Sequence, residues 1–222
     1  MDTSTQLTRS VCVIGPQSTG KTTLINALSD RLNDNIPVIS EVARRVMHNK
    51  GYSRNDVAFA DRERKFAFQR DIFTAQIETE NIITRSGKNS SFLSDRSGID
   101  PLVYLSHYSG PDEARHLTFT KEWRMARERY ADPKKFLIIL LSPVSEFLID
   151  DDIRYMSNSM DDWHSLAQSF RDFLEIEMIP FIEIGENIMQ LEERVLFVLE
   201  RLRLDRKEPV QYGEPRQKCD EP

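Results

Sequence analysis

Short apolar runs alternate with amphipathic segments along this chain, and the alternation predicts an α/β fold. Five runs have the length and composition of buried strands, at residues 10–14, 37–40, 91–94, 135–142 and 181–184. Parallel strands that lie between two layers of helices are continuously apolar in this way. We therefore predict one five-stranded parallel sheet with helices on both of its faces.

The segments between these runs repeat apolar residues at the period of a helix. Helices are predicted at residues 22–32, from Glu41 onward, and at 55–85, 101–108, 113–131, 161–178 and 188–204. The longest of them carries one apolar stripe, made of Phe59, Phe66, Phe73 and Ile77. The last carries a second stripe, made of Leu191, Val195, Leu199 and Leu202.

The composition is that of a globular protein with a single domain. Of the 222 residues, 39% are hydrophobic and 30% are charged, which excludes a disordered chain. The net charge of −6 argues against a general DNA or RNA partner. We predict an N-terminal extension over residues 1–9, one domain over 10–204, and a disordered tail over 205–222, which is rich in proline and charge.

Nothing in the sequence predicts export or a membrane span. No run approaches the roughly 18 apolar residues that a transmembrane helix needs, and the N-terminal residues MDTSTQLTRS lack the apolar core of a signal peptide. The two cysteines, Cys12 and Cys219, form no disulfide framework, and no cysteine–histidine spacing suggests zinc. We expect a cytoplasmic protein.

A run of cations between residues 44 and 70 departs locally from the acidic balance. Its members are Arg44, Arg45, Lys50, Arg54, Arg62, Arg64, Lys65 and Arg70. A surface of this kind can hold phosphates, including those of phospholipid head groups. The alternative is an ordinary solvated helix face.

The strongest chemical signal is a glycine-bounded loop after the first strand, which has the spacing of a phosphate-binding loop. The loop and the start of the next helix comprise Gly15, Pro16, Gln17, Ser18, Thr19, Gly20, Lys21, Thr22 and Thr23. Its glycines let backbone N–H groups face a polyphosphate at a helix N-terminus. The spacing places Lys21 against the β- and γ-phosphates and the Thr22 hydroxyl on Mg²⁺. ATP–Mg²⁺ is the predicted ligand; the sequence lacks the Asn-Lys-x-Asp segment of Ras-like GTPases, but GTP stays open.

A second cluster, Ser94-Asp95-Arg96-Ser97-Gly98, directly follows the third predicted strand. Ligands of α/β proteins gather at the carboxyl ends of the strands. Asp95 is therefore predicted to hold Mg²⁺ together with Thr22, and Arg96 to neutralise phosphate or to orient an acceptor. The alternative is that Asp95 or Ser97 only caps the next helix.

Two further segments carry candidate catalytic residues. Glu41 follows the second strand and is predicted to accept the proton of an attacking hydroxyl, with Arg44 beside it for a charged group of the acceptor. The alternative for Glu41 is that it only complements a helix dipole. The polar segment 150–162 is a candidate lid that brings Arg154 to the transferring phosphoryl group, and its alternative is a solvated loop.

Five segments together resemble the NadR-type P-loop ATPases, in order and over about residues 10–204: GPQSTGKTTL, EVARR, SDRSGIDPLVY, DDIRYMSN and IGENIMQLEERVLFVL. That family includes the ribosylnicotinamide kinase half of the bacterial NadR regulator and eukaryotic relatives linked to membrane trafficking. The resemblance implies a P-loop NTPase fold like that of nucleoside and nucleotide kinases, with ATP and Mg²⁺ as cofactors. It also implies that Glu41 is the acceptor-side carboxylate and that Arg154 belongs to the lid.

Two departures limit what the resemblance implies. The adenylyltransferase half of NadR has no counterpart in this sequence, so only the kinase step is implied. Asp151-Asp152 stands where the family pattern leads us to expect Asp-Gly, which implies a stiffer lid hinge.

Two functions fit these observations. The favoured one is phosphoryl transfer from ATP to a hydroxyl of a nucleoside-like small molecule, with ribosylnicotinamide as the first acceptor to test. Lys21 and Arg154 would stabilise the γ-phosphoryl group and Glu41 would take the proton. The other is a regulatory protein that binds ATP or GTP without an acceptor and contacts lipid head groups through its basic surface.

Overall fold

The computed structural model of the protein describes residues 7–32, 36–56, 59–87, 90–144 and 160–204. The five predicted strands form one parallel sheet in the order β2-β3-β1-β4-β5. In chain order they are β1 (Ser10–Ile14), β2 (Val38–Ile39), β3 (Leu93–Asp95), β4 (Phe136–Leu141) and β5 (Phe181–Ile184). This confirms the predicted fold class, and it places the loop after the central strand β1 between the carboxyl ends of β3 and β4.

The helices lie on both faces of the sheet, as the sequence predicts. Within the described ranges they are α1 (Lys21–Leu32), α2 (Val42–Lys50), α3 (Arg62–Arg85), α4 (Ile99–Ser109), α5 (Pro111–Thr118), α6 (Lys121–Tyr130), α7 (Met160–Ile176) and α8 (Leu191–Leu204). A short 3-10 helix at Arg54–Asp56 precedes α3.

The strands separate two apolar cores because successive side chains of a strand point to opposite faces. Val11 and Val13 of β1 pack on one face with residues of α1 and α8. Cys12 and Ile14 pack on the other face with residues of α3, α4, α6 and α7. All four are fully buried, so the central strand is held rigidly from both sides.

The predicted helix over 55–85 is wrong in its first part. α3 begins at Arg62, where the Asp61 carboxylate accepts a hydrogen bond of 2.8 Å from the Arg64 backbone N–H and so caps the helix. Phe59 lies before this cap and is 63% exposed, so it does not belong to the apolar stripe. The other members of the stripe contact the core as predicted.

Two other helix predictions need a shift of boundary. The segment 113–131 forms two helices, because the Thr120 hydroxyl accepts a hydrogen bond of 3.2 Å from the Trp123 backbone N–H and starts α6. α8 begins at Leu191, three residues later than predicted, and Leu191 is 39% exposed rather than buried.

The chain outside residues 10–204 is described only in part. Leu7 and Arg9, from the predicted N-terminal extension, are buried against the domain. Arg9 donates hydrogen bonds to the carbonyl oxygens of Pro133 (2.7 Å) and Arg201 (3.3 Å). The predicted tail, 205–222, lies outside the described residues. No helix in the described part combines the length and the apolar composition that a membrane span requires.

Candidate functional site

The glycine-bounded loop connects β1 to α1 at the carboxyl edge of the sheet. Gly15 has a φ of +130°, and a Cβ atom there would lie 2.6 Å from the backbone oxygen of Leu141. Gly20 has a φ of +86°. A side chain at Gly15 would therefore clash with β4 and strain the backbone, which explains why the loop needs glycine there.

Lys21 opens α1, and its side chain folds back across the loop. Its Nζ donates hydrogen bonds to the Pro16 carbonyl oxygen and, at 3.1 Å, to the Thr19 hydroxyl. The Thr19 hydroxyl in turn donates to the Pro16 carbonyl oxygen at 3.0 Å. Lys21 is only 4% exposed, and its ammonium group is held at a helix N-terminus, where both charge and dipole favour a phosphate.

Three residues from other helices fix the loop, and sequence reasoning missed their role. Gln17 accepts a hydrogen bond on its side-chain oxygen from the Tyr104 hydroxyl and on its backbone oxygen from the Trp163 indole N–H, both at 2.9 Å. Arg194 of α8 donates to the Thr19 carbonyl oxygen at 3.1 Å. No signal in the sequence links these positions, since each contact spans more than 80 residues of chain.

Thr22 and Asp95 are brought together as predicted. The Thr22 hydroxyl donates a hydrogen bond of 2.5 Å to Asp95 Oδ2, although the two residues are 73 positions apart. Asp95 does not cap α4, because the residue at that N-cap is Gly98. An adjacent hydroxyl and carboxylate beside a phosphate loop are oxygen donors of the kind that Mg²⁺ takes along with phosphate oxygens and water. The pair fits the predicted metal site, which stays a proposal.

Arg96 lies beside the loop, in a strained conformation with a φ of +80°. Its Nη1 donates to Asp100 Oδ1 (3.0 Å) and to the Gly15 carbonyl oxygen (3.4 Å), and the guanidinium stacks 5.5 Å from the ring centre of Tyr104. Burial acts to lower the pKa of Arg96, but Tyr104 and Asp100 raise it overall. A permanent positive charge therefore lies next to the loop.

Glu41 precedes α2 instead of opening it, contrary to the prediction. It occupies the N-cap with a φ of +58°, and its side chain makes no cap hydrogen bond. The carboxylate instead forms an ion pair of 2.9 Å with Arg44 Nε, with the two side chains 38% and 39% exposed. Dipole complementation alone does not explain why a residue with a positive φ, whose side chain makes no cap hydrogen bond, stands at this N-cap.

A cleft of about 900 Å³, counting its part open to solvent, joins these groups. Gln17, Glu41, Asp95 and Arg96 line it, together with side chains of α2, α3 and α4. Apolar lining residues are Val42, Met47, Phe68, Ile72, Pro101 and Tyr104. An apolar cleft with a few convergent polar groups has the character of a small-molecule site.

Gln69 of α3 also lines this cleft, and sequence reasoning did not single it out. The side chain is only 5% exposed, yet no described residue forms a hydrogen bond with its amide. Buried amides normally have partners. The sequence could not have shown that the Gln69 amide lacks a partner, because this depends on which residues pack around α3.

Most of the cations between residues 44 and 70 have partners within the protein. Five of them pair with carboxylates: Arg44, Lys50, Arg62, Arg64 and Arg70. Arg45 and Lys65 donate to backbone oxygens. Lipid contact therefore stays a prediction with no structural observation behind it.

The predicted lid residue Arg154 lies in the stretch 145–159, outside the described residues. Thr23, the last of the predicted nucleotide-binding residues, is exposed on α1. Ser18 adopts a φ of +56° within the loop. The structure thus brings Lys21, Thr22 and Asp95 together, with Glu41 and Arg96 on the same cleft.

A family model described as an AAA domain, AAA_28, matches residues 10–194. The chain belongs to this AAA-domain family. The match confirms the resemblance on which the NadR-type assignment rests. No curated protein matches the chain by sequence.

Solved structures of P-loop kinases share the fold of this AAA domain. NadR in complex with NR superposes with a TM-score of 0.67 and 21% identity, over 93% of this chain and 54% of NadR. Deoxyadenosine kinase from M. mycoides with bound dATP gives 0.60 and 12%, over 87% of this chain and 99% of the kinase. Thymidylate kinase from Candida albicans gives 0.55 and 14%, over 89% and 92%. The chain thus spans about half the length of NadR, and at these identities the likeness shows the fold.

Proposed function

We propose that this AAA domain is a small-molecule kinase that transfers the γ-phosphoryl group of ATP to a hydroxyl of a nucleoside-like acceptor. The observation that carries the proposal is the cleft, which is lined by Glu41, Asp95 and Arg96 together with Gln17 of the phosphate loop. A protein that only binds a nucleotide needs the loop but not an adjoining apolar cleft with an exposed carboxylate in it. Ribosylnicotinamide is the first acceptor to test, because NadR with bound NR shares the fold.

In this mechanism the loop N–H groups and Lys21 hold the β- and γ-phosphates. The proposed metal ligands are Thr22 and Asp95, and Mg²⁺ bound there would neutralise charge on the phosphates. Arg96 supplies a fixed positive charge that either orients the acceptor or stabilises the phosphoryl group during its transfer. Arg154 is also proposed to stabilise the transferring phosphoryl group, because it belongs to the predicted lid.

Glu41 is the proposed general base. Its carboxylate pairs with Arg44 at 2.9 Å in the cleft. An ionised carboxylate at hydrogen-bond distance from an acceptor hydroxyl can take its proton as the oxygen attacks the γ-phosphorus. The P–O bond to ADP breaks in the same displacement, and ADP leaves with the electron pair. Arg44 keeps Glu41 in place and offers a cation to the acceptor.

The test is to incubate the purified chain with ATP, Mg²⁺ and a panel of nucleosides that includes ribosylnicotinamide. Phosphorylated products are identified by mass spectrometry, and ADP release is compared with and without each acceptor. We expect acceptor-dependent release that the Lys21→Ala variant abolishes and the surface variant Glu192→Gln retains. ADP release that no nucleoside or sugar stimulates would remove the main support for a kinase.

A further inference from the structure

Gln76 of α3 lies at the cleft and is 1% exposed. Its Nε2 donates hydrogen bonds to Glu80 Oε1 at 3.0 Å and to Ser94 Oγ at 3.1 Å. No described residue donates to its Oε1, yet this oxygen is not sealed inside the protein. For a side chain so deeply buried that lines the cleft, the remaining access to Oε1 is through the cleft.

The orientation of the Gln76 amide is fixed by its neighbours. The Ser94 hydroxyl has one hydrogen, which it donates to the Arg96 carbonyl oxygen at 2.6 Å. It must therefore accept from Gln76, so the nitrogen of the amide faces Ser94 and the oxygen cannot. The carbonyl oxygen of Gln76 is left as a hydrogen-bond acceptor that cannot rotate away.

Glu80 reinforces this orientation from the other side. It is fully buried and also accepts from the Tyr130 hydroxyl at 2.8 Å, while that hydroxyl accepts the Gly98 backbone N–H at 3.0 Å. Burial raises the pKa of Glu80, and the hydrogen bonds from Gln76 and Tyr130 act to lower it. One network thus fixes the amide and both sides of the turn that carries Arg96.

The position of Gln76 indicates which part of a bound acceptor its amide would contact. Its amide nitrogen contacts Ser94, the residue next to Asp95 at the carboxyl end of β3. Under the proposed function this end of the cleft is where the phosphoryl group is transferred. The part of an acceptor that lies there is the attacking hydroxyl and its immediate neighbours.

We infer that Gln76 Oε1 receives a hydrogen bond from a second hydroxyl of the acceptor, adjacent to the phosphorylated one, so that the cleft selects sugars with neighbouring hydroxyls such as ribose. This specificity role rests on the proposed function. It needs no change in the network, because a hydroxyl donor would bond to the one atom of the Gln76 amide that no described residue contacts by a hydrogen bond. A molecule without that hydroxyl leaves the oxygen unpaired and binds more weakly.

The test is a binding measurement by calorimetry in the presence of a non-hydrolysable ATP analogue. The probes are ribosylnicotinamide and adenosine, each with its 2′-deoxy and 3′-deoxy counterparts. For the wild type, we expect one of the two deoxy compounds to bind about 5- to 100-fold more weakly than its parent. In Gln76→Met, which keeps the length of the side chain without its amide, parent and deoxy compound should bind within about twofold of each other.

Ser94→Ala is the matched control, because it cuts the same network towards Arg96 but leaves Gln76 held by Glu80. Ser94→Ala should keep the wild-type discrimination between parent and deoxy compound. If Gln76 had only a structural role, Gln76→Met would instead lower the affinities for parent and deoxy compounds by the same factor. If Gln76→Met does not fold, Gln76→Leu replaces it, since leucine also lacks the amide and should lose the discrimination in the same way.

The outcomes separate this inference from the proposed function. If neither ribonucleoside binds, the role of Gln76 is overturned; the kinase proposal falls with it only if no nucleoside or sugar of the panel stimulates ADP release. If they bind and both deoxy counterparts bind the wild type equally well, the kinase proposal stands and the role of Gln76 is overturned. Discrimination that survives in Gln76→Met also overturns it.

Discussion

Replacing Glu41 by glutamine should separate catalysis from stability. Glutamine keeps the shape of the side chain and the same strained backbone, but it cannot take a proton. The Glu41–Arg44 ion pair measures 2.9 Å and both side chains are more than a third exposed, at 38% and 39%. Pairs of this exposure contribute about 0–1 kcal/mol, which corresponds to a fall in melting temperature of no more than about 4 °C for a chain of this size.

The loss of a general base is much larger. Such groups contribute about 10²- to 10⁴-fold to turnover, so Glu41→Gln should lower kcat by about 100-fold or more while the ATP affinity stays within about twofold. The assay is acceptor-dependent ADP release, with nucleotide affinity from calorimetry and melting by circular dichroism. Glu192→Gln is the matched control, because it removes an exposed pair of 2.7 Å with Arg31 outside the cleft.

A second substitution tests the backbone part of the reasoning. Glu41 has a φ of +58°, where a non-glycine residue costs about 1–3 kcal/mol. Glu41→Gly should therefore melt at the wild-type temperature or above it, and still lose turnover. The general-base role of Glu41 is refuted if Glu41→Gln keeps more than about half of the wild-type kcat, because no other described carboxylate on the cleft is as exposed to an incoming hydroxyl. The strain argument is refuted if Glu41→Gly melts below the wild type.

Four further outcomes are expected. Lys21→Ala should weaken ATP binding by about tenfold or more in calorimetry, since it removes the ammonium held at the loop. Asp95→Asn should raise the Mg²⁺ concentration needed for half-maximal ADP release, because the hydroxyl–carboxylate pair with Thr22 loses its charge. Gln69→Leu should raise the KM for the acceptor and not that for ATP, and it should not lower the melting temperature, because its amide has no described partner to lose. Gly15→Ala should lower the melting temperature, since its Cβ would lie 2.6 Å from a β4 backbone oxygen.

The sequence was informative wherever a local pattern determined the structure. The strands were predicted because helices on both faces require continuous apolar runs, and β1 shows this with Val11 to Ile14 buried. The meeting of Thr22 with Asp95 was predictable as well, because the carboxyl ends of parallel strands share one edge of the sheet. These predictions needed only the local apolar pattern and the parallel direction of the strands, not the packing of particular side chains.

Predictions that depended on tertiary packing were wrong or were not made. The helical period of apolar residues led us to include Phe59 in the predicted helix 55–85. The helix in fact begins after the Asp61 cap, and Phe59 is 63% exposed. Trp163 and Arg194 were not seen as partners of the phosphate loop, because nothing in a single sequence relates positions so far apart. The same limit applies to Gln69, since only packing makes its amide a buried group without a described partner.

The distribution of unfavourable features argues for an acceptor more strongly than the phosphate loop does. Non-glycine residues at positive φ cost about 1–3 kcal/mol each, and three of the four among the described residues belong to the site: Ser18, Glu41 and Arg96. This strain is large against a net stability of about 5–15 kcal/mol. Gln69 and Gln76 each add to the cleft an amide atom with which no described residue forms a hydrogen bond. A nucleotide-binding regulator would need only the strain at Ser18, which lies in the loop. The other four features lie on the cleft beside it, where a bound acceptor with hydroxyl and N–H groups would satisfy the amides and use the strained carboxylate and guanidinium.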